Sequence, residues 1–535
     1  MGRILDSLSV RLRSALDFKH PRQSYGVLLD GDTRRNLYLF TAAVCVGIMF
    51  TVITGFPGAS PIFAAFLKQE LGLSDSLFGT LLALPYVTAI AQIPFTRFLQ
   101  RKPPLKQLFV GLGLFVRLSF VVLGLAAAVL GDGQRTLLVG FVFLMMALSS
   151  TVLWLSDVTF QTWLGVCVPP HITGRFFSTR QRLLTLAMLA YSLLVMPLTR
   201  LLDGHPLQYP ILFVLAGLFG CCDILILLKI RTPEPAETAE PKAAADVAAD
   251  VDVAADAAAD VDAADTSKAK RGDALRQFFS DLVIPFRDRN YRPILLFSAV
   301  YYFGIQINSP YLNVYMLENL RIPLGIQTLL TTLMPGIATV LFITRTGRLS
   351  DYYGYRNSLL FFGLISALSP LCWLFVVPQT WWLIALINFV WGITGVATDL
   401  AVFGITVFRA PSELRPVYIS AKAICANLFG IAPAILLGGL LSDVLSPLMK
   451  NLAIPWFGGT HLLPLHVLLL LAATIRSFAV LRIAPKLAPD NKTDFPAFCG
   501  ELRDSVLRSF HPLRRLARHL HWRRHQRKWR QSQND

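Results

Sequence analysis

Residues 347–356 read Gly347-Arg348-Leu349-Ser350-Asp351-Tyr352-Tyr353-Gly354-Tyr355-Arg356. The chain turns apolar on both sides, over 323–345 before the segment and 357–377 after it. Each run is about as long as a bilayer-crossing helix, which needs roughly 20 mostly apolar residues. A polar decapeptide between two such runs reads as a short connection at the membrane edge. Gly347 and Gly354 permit close helix approach and a tight turn. Asp351 can accept hydrogen bonds at a helix start and pair with a basic residue. Arg356 adds positive charge on the same side.

Working outward, ten further apolar runs appear. The first six spans fall near 36–56, 76–98, 107–130, 136–166, 181–201 and 207–229. The second six fall near 293–316, 323–345, 357–377, 381–408, 418–441 and 461–483. Of the 535 residues, 54% are hydrophobic and 16% charged, yet the formal net charge is +17. So high an apolar fraction excludes disorder for most of the length. The excess of basic residues points to a nucleic-acid binder, and the hydropathy contradicts it. Both facts hold together if the basic residues lie outside a large hydrophobic body.

Lys and Arg of short loops collect on the cytoplasmic side. One set of loops carries Arg97, Arg101, Lys102 and Lys106, then Arg175, Arg180 and Arg182, then Arg345, Arg348 and Arg356, then Arg409, Arg415 and Lys422. The opposite loops carry single charges at Lys68, Arg135, Arg321 and Lys450. Both termini and the central segment are therefore expected in the cytoplasm. The domain boundaries follow as a basic N-terminal segment at 1–35, a six-helix bundle at 36–230, an acidic linker at 231–275, a second bundle at 276–485 and a basic tail at 486–535. The linker holds ten acids and one Lys over 233–265 and has no apolar face to bury, so it reads as a solvated spacer. In the tail, Leu502, Val506, Phe510, Leu513, Leu516 and Leu520 recur at helical spacing among twelve basic residues. Leu5, Leu8, Leu12 and Leu16 do the same at the other end. Basic amphipathic helices of this kind lie on anionic lipid.

The halves repeat. Asp157 is followed twelve residues later by Pro169, and Asp399 twelve residues later by Pro411. Internal duplication of six spans is a transporter signature, because two similar halves can rock about a site between them. The decapeptide then gains meaning. It resembles the signature loop of the major facilitator superfamily, G-x-L-x-D-x-x-G-x-R/K, and falls where that family places it, after the second span of a half. The first-half counterpart, Pro94 to Pro104, keeps its basic residues but lacks the Asp and both glycines. The resemblance implies an all-α membrane protein, with twelve transmembrane helices in two pseudo-symmetric six-helix bundles. It also implies that Gly347, Asp351, Gly354 and Arg356 form a gating loop that latches one access state, and that spans one, four, seven and ten line the central cavity.

On that footing Asp157 (span four) and Asp399 (span ten) are pseudo-symmetric cavity carboxylates. Twelve residues at 1.5 Å each place them about 18 Å from the membrane edge, near the middle of a core roughly 30 Å thick. Ionisable groups at that depth default to functional hypotheses, here proton or cation coupling or recognition of a cationic or hydroxylated solute. Trp154 and Gln161 accompany Asp157; Gln306, Asn308, Tyr311 and Asn313 lie on span seven; Asn388, Trp391 and Thr394 lie on span ten. Aromatics beside amides suit polar organic solutes, and also occur as glue between helices. Arg117 and Asp223 sit at compatible depth on spans three and six and read as a structural ion pair. Arg476, near the end of span twelve, reads as a snorkelling cation.

The phosphate loop GxxxxGKS/T, HExxH, CxxC and GxSxG are missing, so the sequence offers no catalytic constellation, metal set or cofactor motif. The reading is a secondary transporter of a small polar organic solute, a sugar or a carboxylate, with proton coupling as an option. Drug or metabolite efflux is the alternative, and a transporter-like receptor or scaffold is the rival from another class. Expected partners are a small-molecule substrate, protons and anionic lipid headgroups, with no nucleic acid, and the expected state is a monomer. Short external loops fit a bacterial inner membrane.

Overall fold

The computed structural model describes residues 17–487 except 19, 26, 93–94, 96–98, 100–103, 131, 170–171, 232–282, 412–413, 453–454 and 458–460, together with Gly500. The expected N-terminal and tail amphipathic helices, most of the acidic linker and most of the Pro94–Pro104 loop lie outside the described residues.

Helices occupy all twelve expected positions. Among the described residues, nine helices are long and apolar enough to cross a membrane. In the first half the spans are Gly31–Thr54, Asp75–Thr88, Leu105–Leu130, Arg135–Cys167, Thr173–Leu201 and Gln208–Leu227. In the second half, span seven is two pieces, Arg292–Gln306 and Ser309–Glu318. Span eight runs from Leu324 through a π turn at Leu329–Leu333 into Met334–Tyr353. Spans nine and ten are Tyr355–Trp373 and Leu383–Arg409. Span eleven joins Arg415–Ile424 to Ala432–Leu452 through a π-helical stretch at Cys425–Ile431, and span twelve is Pro464–Phe478 with a π turn beyond it.

Local chemistry sets several of these ends. Asp30 caps span one by accepting from Asp32 N at 3.1 Å, and Gly55 ends it at φ +69°. Ser74 caps span two on Leu77 N. Gly354, at φ +92°, is the whole connection between spans eight and nine, a conformation that L side chains rarely adopt. The signature decapeptide is thus mostly helix. Asp351 stands three residues before the break, at the C-terminal end of a helix and not at a helix start. Gly347 is not crowded either, since a Cβ there would meet only Leu400 at an ordinary 3.7 Å. Ser350 Oγ donates to Ser358 Oγ at 2.8 Å and ties the two helices across the turn.

Each half closes on itself. Asn36 exchanges hydrogen bonds with the Arg231 backbone at 2.7 and 3.1 Å, joining the start of span one to the end of span six. Phe50, Phe56, Phe63 and Phe213 pack edge-on or tilted around Phe120. The halves meet at the end away from the basic loops. There Asn313 Nδ2 reaches Ala59 O at 3.3 Å, the Tyr311 and Phe78 rings lie 5.9 Å apart, and spans two and eleven pack face to face. Small residues allow this seam, as in helix packing within lipid. A Cβ on Gly79 would come within 2.8 Å of Ile435 O, and one on Gly439 within 2.4 Å of Asp75 O. Among the described residues, no comparable seam joins the halves at the basic end.

Candidate functional site

Asp157 and Asp399 are both exposed, on spans four and ten. Asp399 Oδ1 accepts from Tyr302 Oη of span seven at 2.9 Å. Lys422 of span eleven lies over the Tyr302 ring at 5.6 Å and acts electrostatically on Asp399. In the first half Gln161, one turn further along the same helix, and Arg180 of span five both act electrostatically on Asp157. Arg180 in turn lies over the Phe160 ring at 5.6 Å. Each half therefore has one carboxylate under the electrostatic influence of one cation that lies beyond ion-pair distance, and both separations are 23 residues, 157 to 180 and 399 to 422.

The sequence reading counted Arg180 and Lys422 with the loop charges. Span five begins at Thr173 and span eleven at Arg415, so both residues stand on helix faces above the loops. The repeated 23-residue separation was the available signal. Tyr302 was missed as well, and nothing in its neighbourhood marks it out.

The other candidates divide. Trp154 Nε1 donates to Pro85 O at 2.6 Å, a carbonyl on proline-containing span two. Asn388 Nδ2 donates to Leu330 O at 3.1 Å. Thr394 bonds back to Val390 O of its own helix. Tyr311 is buried and donates to Ile435 O at 2.7 Å, which places it in the seam. Gln306 is the last residue of the first piece of span seven. Asn308, Asn313, Asn388 and Trp391 line a cavity of about 220 Å3 inside the second half.

Arg476 closes that cavity and does not snorkel. It is only 3% exposed, pointing inward from the middle of span twelve. Its Nε donates to Gly304 O at 2.8 Å and its Nη2 to Ile305 O and Asn308 Oδ1 at 3.2 and 3.0 Å. These acceptors surround the break in span seven, where helix carbonyls lose their intrahelical partners. Arg117 Nη2 and Asp223 Oδ2 are 3.3 Å apart, with the Arg117 guanidinium 4.7 Å from the Phe50 ring centroid. Gly47 makes room for them: a Cβ there would overlap Asp223.

Comparison with known proteins places this geometry. Among curated sequences none matches. Solved structures do. The nucleoside transporter NupG superposes with a TM-score of 0.60 at 11% identity, over 85% of this chain and all of the other. A bacterial homologue of the human lysosomal transporter Spinster, in an inward-facing and unoccupied conformation, gives 0.55 at 15% identity over 89% and 98%. The peptide transporter POT in complex with alafosfalin gives 0.57 at 15% identity over 89% and 98%. At such identities the likeness is one of fold. The family model of the Major Facilitator Superfamily matches residues 39–434 and 294–519, most of the chain. The chain is a multi-pass membrane protein and belongs to the Major Facilitator Superfamily of transporters.

Proposed function

We propose that this protein carries a small polar organic solute across the membrane by alternating access, with proton movement through Asp157 and Asp399. The observation that carries the reading is the repeated arrangement, an exposed carboxylate in each half under the influence of a cation 23 residues further on, Asp157 with Arg180 and Asp399 with Lys422. An exposed carboxylate near a cation can exchange a proton as the halves rock, and intramembrane carboxylates of this kind form proton relays. The excess of Lys and Arg on one set of loops supports placing that side and both termini in the cytoplasm, and the reading suits the plasma membrane of a bacterium. The basic ends are proposed to rest on anionic lipid, and the carrier to work as a monomer.

The test is counterflow and pH-gradient-driven uptake in liposomes, with a panel of amino acids, small carboxylic acids, sugars, nucleosides and dipeptides. Asp157→Asn and Asp399→Asn should abolish gradient-driven accumulation and spare counterflow. Undiminished accumulation in both variants ends the coupling assignment. Failure of every solute to exchange ends the transport assignment.

A further inference from the structure

The 220 Å3 cavity is bounded by spans seven, eight, nine, ten and twelve, and neither Asp399 nor Lys422 lies on its wall. Its one charged lining residue is Arg476. That guanidinium is buried, and among the described residues no carboxylate lies within ion-pair distance of it. Besides Gly304, Ile305 and Asn308 it bonds Ser366 O at 3.3 Å. A guanidinium has five N–H donors, so these four bonds leave one Nη1 N–H. The charge is solvated by neutral carbonyls and left without a counter-ion, although buried charges are normally paired.

The position of Arg476 explains what it does. Discontinuous transporter helices hold a coupling cation on the carbonyls at the end of one half-helix and face an anionic substrate group with the start of the other. Here span seven is discontinuous at 307–308, and Arg476 occupies the carbonyl end as a cation supplied by the chain itself. The second piece of span seven, Ser309–Glu318, starts on the cavity wall with no side-chain cap. Asn308 gives its oxygen to Arg476, which leaves the Nδ2 amide as a donor. Trp391, whose ring is 5.6 Å from the guanidinium, supplies an apolar wall.

We infer that this cavity binds the carboxylate of the transported solute, with Arg476 and Asn308 as its donors. The inference rests on the transport reading above and narrows its substrate to small organic acids. The volume agrees, since sites for drug-sized ligands run from roughly 300 to 1,000 Å3. The Asp–cation couples are left to the proton and Arg476 to the solute.

The test uses the full-length protein in liposomes and matched pairs of probes: lactate with lactamide, succinate with succinamide, glutamate with glutamine, and inorganic phosphate as a bare anion. The expected result is counterflow of at least one carboxylate, with its amide about 10- to 100-fold weaker as a competitor, the range of a charge-assisted hydrogen bond. Asn308→Ala should weaken that carboxylate about tenfold or more; it also removes one of the four acceptors of Arg476 and should lower the unfolding temperature, so its affinity is read on protein shown to be folded, and Arg476→Gln loosens the span-seven break further. Equal competition by acid and amide overturns the inference, as does an unchanged affinity in a folded Asn308→Ala. Tighter binding of phosphate than of any carboxylate overturns the carboxylate assignment. Exchange of neutral solutes alone refutes it and leaves the transport reading standing, while no exchange of any solute removes both.

Discussion

Asp443 sits on span eleven of the second half, yet its carboxylate accepts from Asp75 N at 3.0 Å and Ser76 N at 2.9 Å, the first free amides of span two in the first half. Ser442 Oγ also donates to the Asp75 carboxylate, which Lys68 holds at 2.6 Å. One half thus caps a helix of the other at the seam between them. Opening the seam removes the cap, and only water replaces it. Loss of a capping side chain costs about 0.5–2 kcal/mol, and a negative charge at a helix N-terminus contributes about 0.3–1 kcal/mol when exposed. Asp443 is half-buried, so Asp443→Ala should disfavour the closed seam by about 1–2 kcal/mol.

A change of that size shifts a two-state equilibrium by a factor of roughly 5–30. Spin labels at exposed Leu77 and Leu448, one on each half beside the seam, report it by pulsed electron spin resonance. In Asp443→Ala the longer-distance population should grow relative to the shorter by that factor. Asp443→Asn, which keeps an acceptor but not the charge, should fall between. An unchanged distance distribution in Asp443→Ala would refute the latch, because an interaction with no differential energy between two states shifts neither.

Three other outcomes follow from the same contacts. Gly439→Leu drives a side chain toward Asp75 O, where even a Cβ comes within 2.4 Å, so it should open the seam or lower the unfolding temperature, read by the same labels and by thermal scans. Arg117→Leu leaves Asp223 buried without its partner and should cost about 3–5 kcal/mol; Arg117→Leu with Asp223→Leu should recover most of the lost thermal stability. A carboxylate moving with one proton is electroneutral, whereas the anion alone works against the field at about 2.3 kcal/mol per 100 mV. Carboxylate accumulation should therefore ignore a potassium diffusion potential in the wild type and follow it in Asp399→Asn.

The helix positions were legible because lipid leaves few ways to satisfy a backbone, and long apolar runs between basic loops follow from that constraint. The placement of Asp157 and Asp399 on the fourth helix of each half was legible from the sequence. Orientation about a helix axis was not. Arg476 near a helix end reads as a snorkelling charge until three dimensions show that it faces Gly304 and Ile305. Nor was the break in span seven read, although Pro310, which cannot donate to the preceding turn and disfavours helix in the residue before it, stands two residues beyond Asn308. Arg180 was misplaced for a simpler reason: span five runs further toward the basic end than hydropathy alone indicates. Lys422 already lay inside the run at 418–441 and was grouped with the loop charges by its sign alone.

Symmetry and selectivity make opposite demands on such a molecule, and its intramembrane charges divide accordingly. Rocking between two states of similar energy favours equivalent halves, and the couples Asp157–Arg180 and Asp399–Lys422 are equivalent. Arg117 and Asp223 neutralise each other within the first half and commit it to neither state. Recognition of one solute requires a group that the symmetry does not repeat. Arg476 is that group, set where span seven is broken. A carrier must also return empty without stranding a charge. Arg476 meets that requirement, because Gly304, Ile305 and Ser366 all belong to its own half and move with it.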